Sequence, residues 1–178
     1  MRILLALLFA LTLASCGTDD TKQYPGPIVE PSARRGSGTL RFTRDTLPAI
    51  AIKGFTTFQY VGQIVVSDSA EQDRRILLLL PGNRLPRTTR TYTLVDGDST
   101  PKATQARFLV SDFSDGQSLD FKSTGGQQVT LTVDGKKVSG TVTGIAMRPN
   151  LTLNPVAYRV PGTLSATFTF IAQDDMFE

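Results

Sequence analysis

Val129–Val142 reads VTLTVDGKKVSGTV. Apolar residues and threonine alternate up to Asp134-Gly135 and resume beyond the lysines, and a period of two with β-branched residues marks strands. Asp-Gly is a favoured two-residue hairpin turn, because both positions accept positive φ. With that pair at the tip, Val133 faces Lys136, Leu131 faces Val138 and Val129 faces Gly140. The valines, Leu131 and Gly140 share one face; Thr130, Thr132, Lys137, Ser139 and Thr141 share the other. A slip of one residue would exchange the faces, so the pattern specifies its own register.

The same period extends outward from this hairpin. Leu40 and Phe42 share a face, as do Tyr92 and Leu94, then Ala106, Phe108 and Val110, then Leu119 and Phe121. Near the end, Leu164, Ala166, Phe168 and Phe170 alternate with Thr163, Ser165, Thr167 and Thr169. Strands with one apolar and one polar face build antiparallel sheets, packed on one side and wet on the other. Ile76–Leu80 lacks the alternation and predicts a strand buried on both faces. Short strands separated by turn clusters predict an all-β fold: an antiparallel β-sandwich, with a small β-barrel as the alternative. Residues 39–172 form the single β domain in this reading, and 173–178 an acidic C-terminal tail.

The start of the chain has a different character. Arg2, the apolar run Ile3–Leu11 and the small residues ahead of Cys16 have the layout of a cleaved signal peptide over residues 1–15. The run is shorter than the roughly 20 residues a membrane-spanning helix needs. Leu13-Ala14-Ser15-Cys16 resembles the lipobox of bacterial lipoproteins. That resemblance implies cleavage before Cys16, a diacylglyceryl group on its sulfur and an acylated new amino group. More than one acyl chain gives stable anchoring, at about 0.8 kcal/mol for each buried CH₂. Cys16 is the only cysteine, so the domain has no internal disulfide and depends on its apolar core. Residues 16–38, rich in Pro, Gly and Ser, read as a lipidated flexible linker. Fully extended, such a linker reaches about 70 Å; as a coil it averages about 25 Å. Asp19 and Asp20, just after the cysteine, resemble a surface-export signal of some bacterial lipoproteins.

TRTYTL, GGQQVTLTVDGKKVSGTVTG and PGTLSATFTF, in that order behind a lipobox, resemble small uncharacterised bacterial lipoproteins with a β-sandwich domain. The likeness spans roughly Ile76–Phe170. It implies a lipid-anchored location in the cell envelope, at the outer membrane, and supplies no catalytic residues.

Composition narrows the chemistry. Histidine is absent, which excludes a Ser-His-Asp or Cys-His arrangement and removes the commonest metal ligand. A net charge of +3 is too small to indicate nucleic acid. No catalytic motif stands out, and the chain reads as a non-enzyme without cofactor. Carboxylates gather at Asp68, Glu71 and Asp73, at Asp96 and Asp98, and at Asp112, Asp115 and Asp120. None has the spacing of a calcium loop, so no metal site is assigned. Arg84, Arg87 and Arg90 share a Pro-containing loop and form a candidate anion site, with a solvated connection as the plainer alternative. Asp45-Thr46-Leu47 and Asp68-Ser69-Ala70 resemble a bacterial O-glycan acceptor, with Thr46 and Ser69 as the modified residues. The expected function is a membrane-displayed binding or structural module. Its partner is an envelope protein or glycan, met through loops or a sheet face. The alternative is a barrel carrying a small apolar ligand, with Phe55, Phe58 and Tyr60 near its mouth.

Overall fold

The computed structural model describes residues 36–59, 62–68, 73–113 and 116–178. Cys16, the signal peptide and nearly all of the linker therefore lie outside the described residues, as do Tyr60, Ser69, Glu71 and Asp115. The strands are β1 (Gly36–Arg44), β2 (Leu47–Gln59), β3 (Gln63–Ser67), β4 (Arg74–Leu79) and β5 (Arg90–Leu94). They continue as β6 (Gln105–Asp112), β7 (Leu119–Ser123), β8 (Gln128–Asp134), β9 (Lys137–Pro149) and β10 (Gly162–Ile171). Among the described residues the only helical segments are short 3-10 turns.

Pairing runs β10-β1-β2-β3-β4-β6-β5-β8-β9 and returns from β9 to β10. This circuit closes a nine-stranded barrel. β7 bridges β6 and β9 alongside β5 and β8. Every strand pair is antiparallel except β5 with β6. The all-β expectation holds, but the sandwich gives way to the barrel. Both architectures share the same alternation, and only a long-range pairing separates them: here Thr39 of the first strand sits opposite Thr167 of the last.

Inward positions fill the barrel. Phe42, Phe58, Phe108, Phe121 and Tyr92 are all at most 1% exposed. The rings of Phe42 and Phe121 meet at 4.5 Å, as a barrel of about eight strands requires of its interior. The expected faces of β1, β5, β6, β7 and β10 are the observed ones. In β4, Ile76, Leu77 and Leu78 are all buried, as the unbroken apolar run predicts.

The hairpin keeps its faces but shifts its turn. Val133 lies opposite Val138 and Leu131 opposite Gly140, with Asp134 opposite Lys137. The tip is therefore Gly135-Lys136 rather than Asp134-Gly135. Gly135 has φ 56° and Lys136 is not among the positive-φ residues, which suits a turn with glycine at its first central position. The expected pairing is off by two residues in total, an even number, so every side chain stays on its predicted face.

Pairing begins at Gly36, opposite Thr56, ahead of the expected boundary at 39. The last residues are packed rather than trailing: Met176 is 2% and Phe177 4% exposed. They cover the end of the barrel where β1 begins, and the described chain ends beside Leu85.

Candidate functional site

A line of glycines crosses four adjacent strands. Gly54 lies opposite Gly38, Gly38 opposite Phe168, and Phe168 opposite Gly140. All four occupy inward positions, yet only Phe168 has a side chain there. A Cβ on Gly140 would stand 2.3 Å from the Phe168 ring, and one on Gly54 2.0 Å from the Ser67 carbonyl oxygen. A Cβ on Gly38 would meet Thr56 Oγ1 and Val66 at 2.7 Å. Missing inward side chains let the sheet sink toward the core, and glycines in register are how curved sheets acquire such bends.

The outer surface over this line is a groove of about 740 Å³. Two rows of outward side chains flank the glycines. One runs Phe55, Ser37, Thr169, Ser139, Thr132 across β2, β1, β10, β9 and β8. The other runs Lys53, Thr39, Thr167, Thr141, with Thr130 lining the same groove and Thr91 opposite Thr130. Thr39 and Thr167 hydroxyls hydrogen-bond at 2.7 Å, and those of Thr91 and Thr130 at 2.8 Å. β-Branched threonine suits a half-exposed strand face. What distinguishes this face is that, among the described lining residues, Lys53 is the only charged one.

The candidate arginines do converge, on the chain's own end. Arg84 Nη1 donates to the carbonyl oxygens of Asp175 (3.2 Å) and Phe177 (2.9 Å). Arg87 Nε donates to the main-chain oxygen of Glu178 at 2.7 Å, and its guanidinium lies over the Phe177 ring. Arg90 grips the Glu178 carboxylate with both terminal nitrogens, at 2.9 and 3.2 Å. That pair holds the Arg90 guanidinium above its ordinary pKa. Leu85 donates its N–H to Met176 and accepts from Glu178, a short parallel bridge. Main-chain oxygens and a carboxylate thus take at least one donor from each of the three arginines.

Among the described carboxylates, Asp96, Asp98, Asp112 and Asp120 are similarly engaged. Arg148 reaches Asp96 through Nε and Nη2, at 3.1 and 2.7 Å, and Asp98 through Nη2 at 2.6 Å. Lys122 pairs with Asp98 from the other side. Hydrogen bonds from Lys122 and Arg148 lower the Asp98 carboxyl to about 2. Arg107 donates to the Gly97 and Ser99 carbonyls, completing a pinned loop. Asp120 accepts from Ser111, while Asp112 pairs with Arg74 at 3.5 Å. No group of His, Cys, Asp or Glu suited to a metal ion occurs among the described residues. Thr46 is exposed in the turn between β1 and β2.

Of the aromatic residues considered for a carrier, Phe58 is core and Phe55 is 43% exposed on the outer face, at one end of the groove. Sequence reasoning did not single out the groove. Its traces are the threonines alternating in several strands and glycines where the alternation calls for apolar side chains, as at Gly38 and Gly140. Comparison with protein-family models, curated proteins and solved structures finds no match to this chain.

Proposed function

We propose that this chain is a non-catalytic binding module of the bacterial cell envelope, lipid-anchored through Cys16 and displayed on a linker, and that its ligand surface is the outer groove. The groove itself carries this reading: a wide concavity framed by two rows of mostly small polar side chains, with Phe55 and Lys53 at one end. Its volume falls within the roughly 300–1,000 Å³ usual for ligand sites. The charged clusters support it by contrast, because Arg84, Arg87, Arg90 and Arg148 each already bond groups within the chain. The anchor is inferred from the lipobox-like Leu13–Cys16. The carrier alternative shares the barrel, but a ligand on its axis would have to displace close-packed rings such as Phe42, Phe58 and Phe121.

Two measurements test this. Cys16→Ser should move the protein out of the detergent phase; unchanged partitioning contradicts the anchor. The same full-length variant should co-sediment with isolated envelope material. Adding Thr39→Arg and Thr141→Arg, which fill the groove with charge, should remove that sedimentation without lowering the melting temperature appreciably. Equal sedimentation of the groove variant contradicts the site.

A further inference from the structure

From the chemistry of the groove we infer that its ligand is a neutral saccharide chain lying across the strands, with a sugar ring against Phe55. This inference rests on the reading of the groove as the binding surface. Neutrality follows from the lining: Lys53 is the only charged side chain among the described residues that frame it. A phosphate- or uronate-rich polymer would call for the forked donors of arginine. The arginines of the Arg84–Arg90 loop hold the C-terminal segment instead.

Hydroxyls make the lining suited to a partner that is itself covered in hydroxyls. A threonine or serine hydroxyl has one donor and two acceptor sites. The mutual bond of Thr39 and Thr167 uses one donor and one acceptor of that pair, leaving further sites directed outward. The threonine methyl groups offer small apolar contacts to the C–H faces of a sugar. Phe55, outward and 43% exposed, adds accessible aromatic surface beside them. A purely apolar ligand would strip water from these hydroxyls without replacing its hydrogen bonds, which is unfavourable.

Spacing gives the direction. Neighbouring strands lie about 4.7–4.9 Å apart, close to the length of one sugar ring in a linear chain. The row Thr39, Thr167, Thr141 runs across strands, so a saccharide laid along it meets a fresh hydroxyl at each ring. A polypeptide strand has less to gain there. It binds sheets by hydrogen-bonding an open edge, and in this closed circuit both main-chain sides of β1 and β10 are already paired.

Titration of the full-length chain in detergent tests the inference. The probes are hexamers of glucose, N-acetylglucosamine and mannose, with a uronate polymer as the charged comparison. At least one neutral hexamer should bind, with little dependence on salt. Phe55→Ala should weaken that binding by about tenfold, and Thr39→Val with Thr167→Val by about fivefold for each lost hydrogen bond. Both variants should melt like the parent protein. Binding of the uronate polymer alone, or neutral binding that ignores both variants, overturns the inference. If groove variants abolish envelope sedimentation while no neutral hexamer binds, the saccharide is wrong and the groove remains the binding surface. If they leave sedimentation intact, the groove reading fails and the inference with it.

Discussion

The arginine loop and the hydroxyl groove are opposites in charge and in what they do with it. Arg84, Arg87 and Arg90 are conspicuous, yet their donors are directed to Asp175, Phe177 and Glu178. The groove is built mostly from the least conspicuous residues in the chain, glycine, serine and threonine, and is an open concavity. The difference teaches that a cluster of charge in a small domain marks first of all something to be neutralised. Here it fastens the end of the chain over the barrel, where Phe177 and Met176 are buried. An open surface is found by asking which polar atoms the fold leaves unspent.

The largest expected effect attacks the clasp. Phe177→Ala removes a buried ring from the barrel end and should destabilise the domain by about 3–5 kcal/mol in denaturant unfolding. A loss below about 1 kcal/mol would mean that the C-terminal segment is not part of the core. Replacing Arg84, Arg87 and Arg90 together with serine should cost less, about 1–2 kcal/mol, because the Arg90–Glu178 pair is partly exposed and screened. The loss should shrink at high salt. An unchanged melting temperature would return the loop to the status of a solvated connection.

The second charged knot gives a subtler test. Asp98, held to about 2 by Lys122 and Arg148, has a pKa depressed from 3.8. A depressed carboxyl contributes stability above its unfolded value, and that contribution disappears as pH falls toward the folded one. The melting-temperature difference between wild type and Asp98→Asn should therefore be constant near neutrality and narrow between about pH 4 and pH 2. A difference that persists at pH 2 would refute the ionic origin. Smallest of all in stability is Thr141→Val, expected within about 0.5 kcal/mol of wild type because the side chain is exposed.

How far these regions can be read in the sequence follows from the range of the interactions that make them. Period two is local, so the faces of the β8–β9 hairpin are legible, as are the core residues Phe42, Phe108 and Phe168. The turn is less so, because Asp134-Gly135 and Gly135-Lys136 both put glycine where a tight turn accepts it and differ only in which pair forms the tip. Closure is not local at all: β1 and β10 meet across most of the chain, and alternation is the same in sandwich and barrel. The arginines can be seen to cluster, but their partner is 88 residues away from Arg90. The groove is hidden for a related reason. Gly38, Gly54 and Gly140 are unremarkable one by one and acquire meaning only when pairing puts them in line with Phe168.

One measurement compares the two regions directly. Backbone amide chemical shifts of the full-length chain carrying Cys16→Ser, followed during titration with the tightest-binding neutral hexasaccharide, report where ligand settles. The account predicts shifts confined to the groove, at Ser37–Thr39, Lys53–Phe55, Thr130–Thr132, Ser139–Thr141 and Thr167–Thr169, with Arg84, Arg87, Arg90 and the last residues unmoved. Shifts centred on the arginine loop and Glu178, with the groove silent, would contradict it.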